Sequence, residues 1–335
     1  MSKIKLFTHT DLDGIGCAVL AYLAFKDDVD VEFCDYKDID EKVNVFLNKE
    51  FWDKTYDKIF ITDISVSERM AEVIDCDPLD SKRLDVTLLD HHATAEWLNK
   101  YEWATVEVRD CNDVKTSGTM MFYRYLLSKG LLAHLFDYHI DNVSRFARIV
   151  RDYDTWRWKD DKNLGYDGII CKQVNDIFHI YGRNEFINWS ICKIKDRLAR
   201  PYPNFDHMDK LILENKQKDI DNYVSQKNKQ LMTVKDNFGY TCGVVFAERY
   251  VSELGNRLSE LHPELDYIAM IDIGFGGVSY RTVKDDIDLG GEIAHSFGGG
   301  GHKKAAGSTF NSISVRDNIV GHIFELDRLR REIVT

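Results

Sequence analysis

Val86-Thr-Leu-Leu89 runs straight into Asp90-His91-His92. Residues that favour a buried strand are followed by one carboxylate and two imidazoles, with no turn residue between them. Ligands of open α/β sheets bind beyond the carboxyl ends of the strands, so these three groups are candidate metal ligands. Alone they read equally well as a polar strand end in solvent. The choice turns on whether other strands carry matching groups to the same edge, and two do. His9-Thr-Asp11-Leu-Asp13-Gly14 follows the apolar stretch at 3–8, and Lys58-Ile-Phe-Ile-Thr62 stops at Asp63. An acid ahead of a helix is an ordinary N-cap, but a cap uses one acid and leaves His9 and the other aspartate without a folding role. Mixed imidazole and carboxylate donors suit a divalent cation. In Arg151-Asp152-Tyr-Asp154-Thr155-Trp156 the two acids read as loop polarity by spacing, while their aromatic neighbours argue for a buried acid.

The second half of the chain carries a different chemistry. Gly298 to Gly301 precede His302-Lys-Lys-Ala305-Ala306-Gly307. Backbone N–H groups at Gly299, Gly300 and Gly301 could approach an anion closely, and a helix starting beyond would add its positive end. A flexible hinge is the plainer reading of four glycines, whereas the following His and Ala-Ala-Gly speak for a tightly packed turn. Arg281, in Val278-Ser-Tyr-Arg281-Thr, is a candidate fork for a phosphate or carboxylate, although a lone strand arginine is more often a surface residue.

The elements that must position these groups are legible as periodic stretches. Strands at 3–8, 31–36, 58–63 and 86–89 alternate with helices at 15–25 and 67–74. That alternation predicts an α/β fold with a doubly wound parallel sheet, whose strand ends at His9–Asp13, Asp63 and Asp90–His92 share one edge. Helices at 119–127 and 142–150 follow, and residues 160–200 show a mixed pattern with no assignable chemistry. Arg200-Pro-Tyr-Pro203 breaks regular structure, and 205–232 reads as a charged connecting helix. Strands at 241–246, 267–273 and 277–283, with helices at 252–261, 291–296 and 314–333, form a smaller α/β unit with a mixed sheet. The division is therefore a metal-binding domain at 1–195, a helical connection at 196–235 and a substrate domain at 236–335.

Bulk properties narrow the function classes. The 335 residues suffice for two domains, and 44% hydrophobic with 30% charged residues describes a globular chain. No apolar run is long enough to cross a bilayer, and the N-terminus lacks a signal-peptide core, so a cytoplasmic location is expected. Seven scattered cysteines without a Cys-x-x-Cys pair argue against disulfides and a thiolate zinc site. A net charge of −12 disfavours tracking long nucleic acid, but says little against a small phosphorylated substrate in one cleft. There is no P-loop and no Gly-x-Ser-x-Gly elbow.

Together these blocks resemble the DHH phosphoesterase superfamily. In order they are His9-Thr-Asp11-Leu-Asp13-Gly14, Asp63, Asp90-His91-His92 and Asp154-Thr155. Ser279-Tyr-Arg281-Thr and Gly299-Gly-Gly-His302-Lys-Lys-Ala305-Ala306-Gly307 resemble the family's C-terminal associated domain. The resemblance covers nearly the whole chain and is strongest to the oligoribonuclease and adenosine-bisphosphate phosphatase branch. It implies two divalent cations, usually manganese, with magnesium or cobalt as alternatives. His9, Asp11 and Asp63 would hold one; Asp13, Asp63, His91 and Asp154 would hold the other, with Asp63 bridging. The Asp-Thr pairing selects Asp154 over Asp152. Asp90 would orient the histidine pair and His92 would face the scissile phosphate. Arg281, Gly299, Gly300, Gly301 and His302 would grip the substrate's other phosphate or nucleotide.

Two metals about 3.5–4 Å apart can activate a bridging water and clamp the phosphoryl oxygens during in-line attack. The implied substrates are short oligoribonucleotides, with adenosine 3′,5′-bisphosphate and cyclic or linear dinucleotides as rivals. A catalytically silent nucleotide-binding regulator on the same scaffold is the reading from another class, and intact acids at every expected position argue against it. Neither long nucleic acid nor a membrane is an expected partner; a homodimer is left open.

Overall fold

Ile4-Lys-Leu-Phe-Thr8 is buried at all five positions, which a strand achieves when both faces of its sheet are covered. The computed structural model describes residues 3–53, 55–76 and 85–334, with the side chains of 51–53, 160 and 325–334 left out. It divides into two units, Met1–Leu213 and Glu214–Thr335, with the division inside one long helix.

In the first unit the strands are β1 (Ile4–Thr8), β2 (Val29–Phe33), β3 (Lys58–Thr62), β4 (Asp85–Asp90) and β5 (Ala104–Val106). They form a parallel sheet in the order β2-β1-β3-β4-β5. Successive side chains alternate between two cores: Leu6 and Phe60 enter one, Phe7, Ile59 and Ile61 the other. Lys5, buried within β1, is compensated by Asp30 and Glu32, each 2.8 Å away. The helices are α1 (Leu12–Phe25), α2 (Ile39–Asp53), α3 (Glu68–Asp75), α4 (Gly118–Ser128), α5 (Asp137–Asp154), α6 (Arg157–Asp160), α7 (Ile169–Tyr181) and α8 (Arg183–Ile194). The larger core joins Ile15 and Leu20 of α1 to Phe122, Phe146, Val174 and Phe186. The smaller takes Ile39 and Val43 of α2 and Met70 and Ala71 of α3.

Three elements of the first unit depart from the sequence reading. Helix α1 starts three residues before Ile15, capped by the Asp11 side chain, which accepts from the Gly14 amide at 3.1 Å. Asp13 therefore sits in its first turn. Asp152 and Asp154 belong to the last turn of α5, since the helix runs past Val150. The stretch at 160–200 is mostly helical: α7 and α8 bury Cys171, Val174, Ile177, Phe178, Phe186, Ile187 and Ile194, with polar residues interspersed among them.

Helix α9 (His207–Asn228) carries the chain into the second unit, whose strands are β6 (Met232–Lys235), β7 (Thr241–Phe246), β8 (Tyr267–Asp272), β9 (Gly277–Arg281), β10 (Gly300–His302) and β11 (Ala305–Thr309). Their order is β10-β11-β9-β8-β7-β6, with β7 and β8 parallel and the other pairs antiparallel. Helix α10 (Val251–Leu261) covers one face, where Leu254 and Leu258 meet Ile268 and Met270. The other face packs Tyr267, Ala269 and Tyr280 against Ile287, Leu289 and Ile293. The glycine run is not a loop before a helix. Gly300 to His302 form β10, which turns at Lys303 and Lys304 into β11, so no helix N-terminus follows to attract an anion. Helix α11 (Ser312–Val334) closes the chain. Among the described residues, no helix is long and apolar enough to cross a membrane.

Candidate metal centre

Connections from β1 and β3 leave in opposite directions across the sheet, which makes the gap between their carboxyl ends a topological switch point. The register sets Thr8 beside Thr62 and Thr62 beside Leu89. His9, Asp63 and Asp90 consequently emerge at one level. Beneath them the Thr62 hydroxyl donates to Thr8 Oγ1 at 3.0 Å, and Thr8 Oγ1 donates to the carbonyl of Gly14 at 2.9 Å.

Three overlapping groups of candidate ligand atoms gather above this floor: His9, Asp11 and Asp63; Asp13, His91 and Asp154; and Asp63, Asp90, His91 and His92. Within each, one ligand atom per residue lies within 4.8 Å of the rest. His9 Nδ1 is 3.0 Å from Asp11 Oδ2 and 3.9 Å from Asp63 Oδ2. His91 Nε2 is 3.2 Å from Asp63 Oδ1, 3.6 Å from Asp13 Oδ2 and 3.7 Å from Asp154 Oδ2. Asp63 thus turns one oxygen toward His9 and the other toward His91. Asp90 stands behind: it accepts from the His91 amide at 2.8 Å, from His92 Nδ1 at 2.8 Å and from the Ser65 hydroxyl. His92 Nε2 meets the Tyr36 hydroxyl at 3.3 Å.

Part of the support was not read from the sequence. Asp13 receives the first amides of α4, from Gly118 at 2.6 Å and Thr119 at 2.9 Å, and the Thr119 hydroxyl donates to its carbonyl at 2.6 Å. A helix N-terminus is a ready carboxylate cradle, and Ser117, the N-cap of α4, was the available signal. The approach requires glycine: a Cβ on Gly118 would lie 2.4 Å from Asp63 Cβ, and one on Gly14 2.2 Å from the His9 carbonyl oxygen. Asp63 adopts a φ of 59°, a left-handed conformation rarely taken by residues other than glycine. Tyr36, beyond β2, also escaped notice.

Electrostatics here are dominated by crowded acids. Burial, followed by the charges of Asp13 and Asp11, raises the Asp63 carboxyl well above the usual range. Burial and the same two aspartates also raise Asp154. His91 is lowered, chiefly by burial. The hydrogen bond to Asp11 raises His9, and that to Asp90 raises His92. Burial pushes Asp90 up, but the His92 and Ser65 hydrogen bonds outweigh it and the net shift is downward. Asp63 Oδ2 is buried without a hydrogen-bond partner, and it faces His9 Nδ1, which lies 3.0 Å from Asp11 Oδ2. Buried polar atoms are normally satisfied. An orphaned carboxylate oxygen among clustered acids is what cation ligation would relieve, so this donor set fits divalent metal.

Asp152 has other partners. It bonds Arg151 Nε at 2.9 Å, Arg157 Nη1 at 2.9 Å and the Tyr166 hydroxyl at 2.5 Å. In the second unit, His302, Ala305 and Arg281 occupy one rung across β10, β11 and β9. His302 is exposed; Arg281 is half-buried and donates to the Tyr280 carbonyl at 2.8 Å and Ser252 Oγ at 3.1 Å. Gly299 and Gly301 pack tightly against Gly307 and Ala306, whereas Gly300 faces open space.

Comparison with known proteins places this geometry in a family. Residues 3–146 match the DHH family, N-terminal domain. The chain is 35% identical over 326 residues to oligoribonuclease NrnB of Bacillus subtilis (strain 168), covering 97% of this chain and 77% of that one. Among solved structures, it superposes with a TM-score of 0.59 on the DHH domain of a member of a ribosomal-protein family, at 13% identity over 97% of this chain and 86% of the other. An exonuclease RecJ bound to manganese superposes with a TM-score of 0.54, at 12% identity over 93% and 86% of the two chains. These two likenesses are of fold. With a relative above 30% identity along nearly the whole chain and the signature acids gathered at one sheet edge, the chain belongs to the DHH family.

Proposed function

We propose that this chain is a metal-dependent phosphodiesterase that hydrolyses short oligoribonucleotides, with manganese as its natural cation. The observation that carries the reading is Asp63, buried, with one oxygen toward His9 and Asp11 and the other toward His91. In this reading His9, Asp11 and Asp63 hold one cation, and Asp13, Asp63, His91 and Asp154 the other. Two such ions, when bound, polarise phosphoryl oxygens and make water acidic enough to attack at neutral pH.

The chain's own residues set the geometry around that chemistry. The α4 amides fix Asp13, so its carboxylate needs no reorganisation when it takes up a ligand. Asp90 fixes the His92 ring through Nδ1 and leaves Nε2 at the open side, where it would meet a phosphate oxygen in place of the Tyr36 hydroxyl. Arg281 and His302 would hold a distal phosphate or nucleotide. The oligoribonuclease relative supports the substrate class, and mixed imidazole and carboxylate donors favour manganese over magnesium.

A hydrolysis panel tests the proposal. With manganese present, a ribodinucleotide and a pentaribonucleotide should be cleaved faster than adenosine 3′,5′-bisphosphate or a cyclic dinucleotide, and a chelator should stop all cleavage. Preference for the bisphosphate would reassign the enzyme to the phosphatase side of the family. Binding of these nucleotides with no turnover under any divalent cation would favour a silent regulator.

A further inference from the structure

Two residues beyond Asp154, Trp156 takes a φ of 63° and leaves 54% of its surface exposed. A strained backbone that holds a large aromatic in solvent is a cost that packing does not explain, and such outliers cluster at ligand sites. Trp156 lines a cavity of about 470 Å³, the size of a small-ligand pocket, whose walls include Arg109, Lys115 and Arg157 with Asp113 and Asp161. Thr155, the next residue in the chain after the candidate metal ligand Asp154, also lines it.

Its cations are not equivalent. Arg157 is committed to Asp152 at 2.9 Å and to Asp161. Arg109 donates to the Asp113 carbonyl at 2.7 Å with half its side chain exposed. Lys115 pairs with Arg109 across a short hairpin and is exposed, with no ion pair to a described residue. An exposed indole beside a free ammonium and a half-free guanidinium matches what binds single-stranded nucleic acid: an aromatic platform for a base and cations for the backbone.

We propose that this cavity is a nucleotide subsite, in which the base of a nucleotide next to the scissile phosphate stacks on Trp156 while Lys115 and Arg109 face its sugar-phosphate backbone. The assignment rests on the oligoribonuclease reading and adds to it a platform inside the metal-binding unit. Stacking is tolerant of base identity, so this subsite would select for the presence of a base and not its sequence. Trp156 also lies 6.3 Å from Trp158, with Lys159 Nζ 5.0 Å from its ring centroid. A purely structural role in that stack would appear in stability and not in KM.

The test compares a ribodinucleotide with its two singly abasic counterparts under manganese. Wild type should lose roughly ten-fold or more in kcat/KM on one abasic substrate. Trp156→Ala should lose as much on the intact dinucleotide, mainly through KM, and nothing further on that abasic substrate; Trp156→Phe should retain most of the effect. Lys115→Ala should raise KM and weaken its salt dependence. If Trp156→Ala keeps wild-type KM and the full abasic penalty, or lowers only the melting temperature, the subsite is overturned. If wild type cleaves none of the three, the function reading fails, and calorimetric titration of the dinucleotide then decides the subsite. Weaker binding by Trp156→Ala supports it, and equal binding overturns it.

Discussion

The two sets of candidate residues are built in opposite ways. In the first unit, candidate ligand atoms come from three strand ends and a helix C-terminus, are buried or half-buried apart from Asp11, and are cross-bonded to backbone amides and one another. In the second, Arg281 and His302 share a rung of one sheet without bonding to each other, and His302 lies open to solvent. The first arrangement fixes where a small, highly charged guest must sit, at the expense of crowding Asp11, Asp13, Asp63 and Asp154. The second stores no such repulsion and fixes little before a ligand arrives. Stability, pH and metal should therefore act strongly on the first set and hardly on the second.

The largest break in that contrast should come from Asp63→Asn. Turnover should fall roughly a thousand-fold or more, because the carboxylate shared by both proposed cation sites is gone. The metal-free protein should nevertheless become more stable at neutral pH, by about 1–3 kcal/mol. A carboxyl raised on folding contributes stability that is fully present below its unfolded pKa of about 4 and lost as pH rises through the folded value. Metal-free wild type should thus weaken as pH climbs above the ordinary carboxylate range, and Asp63→Asn should flatten that slope. Manganese should reverse the ranking: in the two-metal reading a cation competes with protons for the raised Asp63 and Asp154 carboxyls, so its affinity should rise with pH. Thermal melts across pH, with and without manganese, decide the matter. A metal-free variant that melts lower than wild type and keeps its pH slope would remove the charge-crowding argument.

A smaller effect of a different kind is expected from Gly118→Ala. The new Cβ would stand 2.4 Å from Asp63 Cβ and 2.8 Å from its Cα, so α4 must retreat and its amides must leave Asp13. Overpacking of this kind costs about 1–3 kcal/mol. Loss of ligand support should lower kcat on the order of ten- to a hundred-fold with little change in KM. Wild-type kcat in this variant would show that Asp13 needs no amide support.

The same contrast explains what could be read from the sequence. His9, Asp11, Asp13, Asp63 and His91 stood out as candidates because each lies where a regular element ends or begins, although Asp11 also caps α1. The parallel sheet followed from apolar stretches whose ends coincided. The α4 amides around Asp13 were not legible, since a backbone donor leaves no residue type behind and Gly118 reads as an ordinary turn glycine. Asp152 and Asp154 could not be separated by spacing. The difference lies in Arg151, Arg157 and Tyr166, whose grip on Asp152 depends on how α5, α6 and the following loop pack. The glycine run misled for a related reason: a hairpin of small residues and a helix-leading loop have the same composition, and only the pairing of β10 with β11 separates them.

The smallest expected effects lie in the second unit, and they sharpen the comparison by splitting its two residues. The Arg281 guanidinium already has protein partners at Tyr280 and Ser252, and its stem lies where a Cβ on Gly255 would stand, 2.6 Å from Arg281 Cγ. Arg281→Ala should therefore cost about 1 kcal/mol through lost packing and raise KM on the order of ten-fold. His302→Ala removes an exposed side chain, so stability should stay within about 0.5 kcal/mol while KM rises by a smaller factor. Neither should change manganese affinity, measured calorimetrically on the intact protein. If either variant lost metal while KM held, the residue would belong with the buried acids, and the division between a preorganised metal wall and an open substrate surface would fail.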